Sequence, residues 1–461
     1  MAVKIQYDSD SKLTLTGLVC DCGGEHRLPT QDIYVGTGLI DRVPTLIQKR
    51  GLGRQAVLVA DDNTWPLVGE KLTGLLRAAG FTVLPCVLHR EGELVPDERA
   101  CGEVLLTMQP ETEFLISVGS GSITDTTRVV AVRTGKPFVC VGTAPSMDGY
   151  TSVVAPLILR GVKIHRAANC PEIIVCDLDI LRTAPMPMVL SGIGDVLGKY
   201  IAWVDWQIGG IVNGERICTV CGEIVVQAVN KLLDHIDDLK SKSEAGVRVL
   251  IEALLLAGVT IMVVGHTRAV ASVEHNIVHY WDMMKLLKGE RQPPHGTAVG
   301  LSTLLVWPLY LRFAKEDLSR LNLADIRRRR LGREERTAWL LEAYREEAAT
   351  EIMRENPDDF LDWPEQERRI RQALARFSDL QAVIDDLPPF TRIRQAWQDL
   401  GGPEDAAQLG IDQAMLNRSM HAGKDYRTRY SLVKLLDECG LLSDYLAEYP
   451  LLDVTHRDTR S

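Results

Sequence analysis

Short apolar runs, separated by longer stretches with helical spacing, recur through the first 180 residues. "QAVLVAD" has the length and branched side chains of a buried strand, and "VGEKLTGLLRAAG" after it repeats apolar positions at helical intervals. "FTVLPCVL", "FLISVGSGS", "KPFVCVGT" and "EIIVCDLDI" continue the series. Such alternation predicts an α/β domain with a mostly parallel sheet wrapped by helices. At "TAPMPM" the pattern changes, and Pro185 and Pro187 punctuate the chain. Helical periodicity dominates from there on, so a domain boundary is placed near residue 184, with an all-helical second domain over 185–461.

Within the helical half, residues 324 to 380 are dense in charges of both signs, with apolar residues at helical spacing. This reads as solvated helices, including Arg327 to Arg330, rather than a surface for an acidic partner. The final "THRDTRS" is expected to fray.

Composition narrows the classes. The length of 461 residues suffices for two or three domains with substantial cores, and the 46% hydrophobic and 25% charged content is that of an ordinary globular protein. A net charge of −10 argues against nucleic acid or an anionic membrane as the main partner. The most apolar stretch, Val249 to Val264 with Glu252 inside it, reads as a buried helix, and the N-terminus has no secretory apolar core. Ten scattered cysteines fit reduced thiols in a cytoplasmic enzyme. Cys20, Cys22 and His26 of "CDCGGEH" lack an obvious second zinc cluster and read as a turn around Gly23–Gly24; Cys218 and Cys221 read as packing residues.

Candidate chemistry lies at strand ends. "FLISVGSGSITDTTRVV" is strand, small-residue turn and helix, in which Gly119 and Gly121 permit close approach and the amides of Ser122 to Thr124 face an anion such as a pyrophosphate. Asp61 or Asp62, ending "VLVADD", is placed to take a ribose hydroxyl, which leans toward NAD over NADP; a helix cap is the competing role. "VGTAPSMDGYTS" presents Thr143, Ser146, Asp148 and Ser152 after another strand. In "SVEHNIVHYWDM", His275 and His279 share a helix face, Asp195 sits in a Gly-flanked turn, and His295 opens a later helix in "PPHGTAVG". One carboxylate and two imidazoles make a plausible three-ligand zinc set with an open position for substrate.

Taken together, "GSGSITD", "GTAPSMDGYTS", "SGIGDVLGKY", "EHNIVHYWDM" and "HG" resemble the sn-glycerol-1-phosphate dehydrogenase family, in its bacterial arabinose-operon-associated branch. That family lies within the iron-containing alcohol dehydrogenase and dehydroquinate synthase-like superfamily. The resemblance covers about residues 18 to 310 and returns at "LGIDQAMLNRSMHAGKDYRTRYSLVKLLDECGLL". It implies a dehydroquinate synthase-like architecture and a metal held by Asp195, His275 and His295. It implies cofactor contacts from Asp61, Gly121, Ser122, Ile123, Thr124, Asp125, Thr143, Ala144, Pro145, Ser146 and Ser152. Asp148, Asp195 and His279 are then substrate residues, with Asp195 and His279 catalytic. The implied reaction is reversible NAD(P)H-linked reduction of dihydroxyacetone phosphate on one divalent metal, with zinc expected first and nickel or iron as alternatives. A homo-oligomer, dimer or higher, is expected in the cytoplasm, with no nucleic-acid or membrane partner. The rival readings are a dehydrogenase for glycerol or another unphosphorylated polyol, a dehydroquinate synthase-type lyase, against which Asp195 in place of Glu argues, and a non-catalytic metal-stabilised cofactor-binding protein whose charged insertion serves a partner. "TRAVASVEH" departs from the family at Ala269 and Val273, which bears on substrate identity. Lys199, Arg268 and Lys424 are candidate phosphate contacts.

Overall fold

The computed structural model describes residues 4–16, 20, 22–23, 31–356 and 360–449. Two compact units are present, one of residues 1–196 and 219–267, the other of 197–218 and 268–461. They group the chain differently from a single boundary at residue 184, because the helices between residues 219 and 267 pack back into the first unit.

The first unit contains strands β1 (Lys4–Tyr7), β2 (Leu13–Thr16), β3 (Asp32–Gly36), β4 (Gln55–Asp61), β5 (Thr82–Leu88), β6 (Phe114–Gly119), β7 (Phe138–Gly142), β8 (Val154–Leu159), β9 (Val162–Ala167) and β10 (Ile173–Asp177). Its helices are α1 (Val43–Arg50), α2 (Glu70–Ala78), α3 (Glu98–Thr107), α4 (Gly121–Thr134), α5 (Leu178–Leu181) and α6 (Met186–Leu197). After α7 (Lys199–Asn213) of the second unit come α8 (Thr219–Leu233), α9 (Ile236–Lys240) and α10 (Glu244–Val264).

Six strands form one sheet in the order β3-β10-β7-β6-β4-β5, and every pairing is parallel. Apolar runs buried on both faces, such as Phe114–Val118, are what a parallel sheet covered by helices requires. The chain leaves β4 toward β5 and leaves β6 toward β7, on opposite sides, so the topological switch point lies between β4 and β6. Asp61 and Gly119 end the two strands that flank it. The strand β3 and the antiparallel hairpins β1–β2 and β8–β9 were not expected from the sequence. Helix α10 is long and apolar enough to cross a membrane, yet most of it is buried within this unit, against α8 and the turn at Gly149–Thr151.

The second unit is helical throughout its described residues. It comprises α7, α11 (Val273–Leu287), α12 (His295–Phe313), α13 (Leu323–Arg329), α14 (Arg333–Glu355), α15 (Trp363–Ala375), α16 (Phe377–Asp385), α17 (Phe390–Asp399), α18 (Gln413–Ala422), α19 (Leu432–Glu438) and α20 (Leu442–Ala447). Four buried tryptophans, Trp206, Trp281, Trp307 and Trp397, anchor its core. Trp281 keeps its polar edge satisfied by donating from Nε1 to Ser419 Oγ at 2.9 Å.

Candidate active site

The sheet places two loops side by side. Gly119 ends β6 and faces Gly142 of β7 in the register, the Thr143 amide donates to Gly119 O at 3.2 Å, and Ser120 Oγ lies 2.5 Å from Ser146 Oγ. Helix α4 begins at Gly121, so its first-turn amides belong to Gly121, Ser122 and Ile123; the Thr124 amide already donates to Ser120 O at 3.0 Å. The amides without an intrahelical acceptor therefore start one residue earlier than the sequence expectation. Thr124 and Asp125 point inward, and Asp125 pairs with the fully buried Arg128 at 2.6 Å. Burial pushes the Asp125 carboxyl up to about 6 against the pull of that guanidinium. Arg128 also donates to the carbonyls of Gly149 at 2.5 Å and Tyr150 at 3.2 Å, fastening α4 to the second loop.

One carboxylate oxygen of Asp61 accepts the amides of Asn63 and Thr64 at 3.0 and 2.8 Å, the capping role weighed against ribose binding. Its other oxygen has no partner among the described residues. Asp62 instead meets His89 Nδ1 at 2.5 Å.

Asp195 is on helix α6 rather than in a turn; its flanking glycines are helical. A Cβ on Gly192 would sit 1.9 Å from the Pro145 carbonyl oxygen, so glycine is what lets α6 and the 143–148 loop touch. Ser191 Oγ donates to Ser146 O at 3.0 Å, and the Asp148 amide donates to Asp195 Oδ2 at 2.9 Å. Thr143, Ala144 and Asp195 are buried, and Ser152 donates from Oγ to Val154 O at 2.7 Å.

The second unit gathers the histidines. His275 and His279 lie on α11 and His295 is the first residue of α12. Ring centroids of His275 and His295 are 5.5 Å apart at 60°, and those of His279 and His295 are 5.7 Å apart but nearly parallel at 23°. His279 also stacks on Tyr426 at 5.0 Å. His275 Nδ1 lies 2.7 Å from Glu274 Oε1, which accepts the Ser272 amide at 2.9 Å as well. A carboxylate on Nδ1 fixes the tautomer that leaves Nε2 as a lone-pair donor, the usual outer partner of a metal-bound imidazole. The donor set thus fits a divalent metal.

A buried network fixes this helix. Asp205 accepts from Ser272 Oγ at 2.5 Å, from Tyr310 OH at 2.8 Å and from the Leu432 amide at 2.8 Å, tying the starts of α11 and α19 to α12. Burial pushes the Asp205 carboxyl up to about 6. Ala269 and Val273, the two departures from the family pattern, are fully buried. Arg268 is committed to Glu215 and to the Asp205 and Tyr430 carbonyls, and Lys424 to Asp425 and Asp437. Lys199 is buried.

The charged stretch has two faces. Outward pairs such as Arg368–Glu365, Arg371–Glu367 and Arg354–Glu351 are the solvated helices expected. Its other face supports the site: Tyr280 OH donates to Ala343 O at 3.0 Å, Tyr344 OH donates to Ala422 O at 2.7 Å, and Arg336 and Trp339 reach Asp425. Glu274, Asp205, Asn356, Tyr426 and Arg427 went unnoticed in the sequence; only Glu274, beside His275, carried a local signal. Among the sequence's cysteine motifs, Cys218 and Cys221 are buried, the Cys22 amide donates to Cys20 Sγ at 3.4 Å, and His26 and the final "THRDTRS" lie outside the described residues.

The profile described as iron-containing alcohol dehydrogenase matches residues 34–185. A glycerol-1-phosphate dehydrogenase (NAD(P)+) of Halalkalibacterium halodurans is 30% identical over 91% of this chain and 95% of its own length. One of Bacillus subtilis (strain 168) is 35% identical over 64% of this chain and 75% of its own. In three dimensions, glycerol dehydrogenase from Schizosaccharomyces pombe aligns with a TM-score of 0.58 at 16% identity, over 92% of this chain and 91% of that one, a likeness of fold. With relatives of that identity aligned almost end to end, the chain belongs to the glycerol-1-phosphate dehydrogenase family of the iron-containing alcohol dehydrogenases.

Proposed function

We propose that the chain reversibly reduces dihydroxyacetone phosphate to sn-glycerol 1-phosphate with NAD(P)H, using one divalent metal held by Asp195, His275 and His295. The observation that carries the metal is the convergent His275–His295 pair with Glu274 on His275 Nδ1. The dehydrogenase assignment rests on the family. Zinc is the expected metal, with nickel and iron as the alternatives to assay.

When bound, the cofactor supplies the hydride and the metal polarises the carbonyl. The chain's own residues do the rest. The first-turn amides of Gly121, Ser122 and Ile123 hold the pyrophosphate, and the unengaged oxygen of Asp61 takes the ribose, favouring NAD. Thr143, Ala144, Pro145, Ser146 and Ser152 shape the adjoining wall, with Thr124 and Asp125 bracing it from inside. Asp148 and His279 orient the substrate hydroxyls. Reduction at C2 leaves an oxygen that must accept a proton, and His279 is assigned to deliver it. Stacking on Tyr426 shields one face of that ring and fixes its direction. Near-parallel to His295, His279 suits the substrate side better than a shared ligand position. The enzyme works in the cytoplasm as a homo-oligomer on this reading.

Oxidation of NADH or NADPH by purified protein with dihydroxyacetone phosphate, with and without added zinc, nickel or iron, tests the assignment. Metal-dependent turnover is expected; no turnover with any metal would sink it.

A further inference from the structure

We infer that Arg427 is the residue that reads the anionic group of the substrate, the phosphoryl group if the function proposed above holds. Its guanidinium lies 5.4 Å from the centroid of the Tyr426 ring, and that ring stacks on His279. A cation thus stands one aromatic ring away from the histidine assigned to the reacting carbon.

Four other cations of this region are committed. Arg268 holds Glu215, Lys424 holds Asp425 and Asp437, Arg336 holds Asp425, and Arg369 holds Glu438. Arg427 is half-buried and makes no hydrogen bond or ion pair with any described residue. Its neighbour Arg429 is pulled down to about 9 by burial first, and then by Arg427 and Arg268, with Glu274 and Glu215 acting in the opposite direction. Arginine in particular suits a phosphoryl group, because its planar fork donates two parallel hydrogen bonds.

The backbone that carries Arg427 is held on both sides by one residue. Asn356, at the end of α14, donates from Nδ2 to the Tyr426 carbonyl at 3.2 Å and accepts the Thr428 amide on Oδ1 at 3.0 Å. A loop clamped at both neighbours presents its side chain with little ordering left to lose on binding. This gives the charged helical stretch a role in specificity: it is the mount for the substrate-reading arginine.

Arg427→Gln should raise KM for dihydroxyacetone phosphate by about tenfold or more, as expected for losing a charge-assisted contact. Its kcat, its KM for NADH and its melting temperature should stay near wild type, and turnover of unphosphorylated dihydroxyacetone should not change. Arg427→Lys should recover part of the loss, and Asn356→Ala should show a smaller rise in KM of the same kind. An unchanged KM in Arg427→Gln would overturn the inference while leaving the function intact. Binding of racemic glycerol 1-phosphate, followed by its rise in melting temperature, gives a readout independent of turnover. Should wild type lack turnover, the proposed function fails. The inference then stands if the ligand stabilises wild type and not Arg427→Gln, and falls if both or neither respond.

Discussion

On the proposed function, Glu274 is what separates a ligand-bearing histidine from an ordinary buried one. It occupies Nδ1 of His275 and is itself fixed by the Ser272 amide. Removing such an outer partner typically costs about 10–100-fold in metal affinity. Glu274→Ala is therefore expected to weaken zinc binding by about that factor in a competitive chelator titration, with its far-ultraviolet circular dichroism unchanged; wild-type affinity would return His275 to a packing role. At the same scale, His275→Ala and His295→Ala should lose bound metal, whereas His279→Ala should retain it and lose kcat. Equal depletion in all three would erase the division of labour. Asp205 gives a pH test. Its folded-state value of about 6 lies above the ordinary carboxylate value of about 3.9, so the folded protein binds its proton more tightly than the unfolded chain. Stability must then fall as pH rises from about 4 to 6 and level off above. Asp205→Asn lacks this slope, so the stability of wild type relative to the variant should decline across that window in urea titrations. A flat difference would show that the carboxylate titrates normally.

Elements differ in how plainly the sequence announces them. "QAVLVAD" is β4 residue for residue, because an uninterrupted apolar run bounded by polar residues has few other uses. "DIYVG" is β3, but a five-residue strand preceded by a polar stretch has no such contrast. Gly192 and Gly194 made Asp195 look like a turn residue, since glycine weakens helices; at Gly192 the cause is the Pro145 carbonyl pressing on α6. Adding a methyl there should cost about 1–3 kcal/mol or more, as overpacking does. Gly192→Ala is thus expected to lower the melting temperature and to raise the KM for NADH, because the 143–148 loop must retreat; wild-type values for both would remove the close approach from the account. The residues proposed to hold the metal were picked out from their types and spacing, helped by family resemblance. Glu274 was visible but unweighted. Tyr426 and Arg427 were not legible at all, because Tyr426 meets His279 across nearly 150 positions of chain and Arg427 reaches that histidine only by way of the Tyr426 ring. The helices over 324–380 showed their solvated face through i,i+3 and i,i+4 pairs, while the face that braces Ala422, Asp425 and Tyr426 depends on tertiary packing.

For the whole molecule, the proposed function divides the work between a parallel sheet with a switch point between β4 and β6, for the cofactor, and a helical unit carrying three histidines, for the metal. Ligands that bind only the folded state stabilise it by about 2.7 kcal/mol at 100 times Kd. Saturating NAD should therefore raise the melting temperature, and more than NADP does if Asp61 reads the ribose; an equal response to both would assign the preference elsewhere. The central claim concerns which product the protein makes. The most direct measurement is the configuration of the glycerol phosphate formed from dihydroxyacetone phosphate and NADH by the metal-loaded enzyme. The account predicts sn-glycerol 1-phosphate, which a stereospecific sn-glycerol-3-phosphate dehydrogenase leaves untouched. A product that this second enzyme oxidises completely, or the absence of any product, would contradict it.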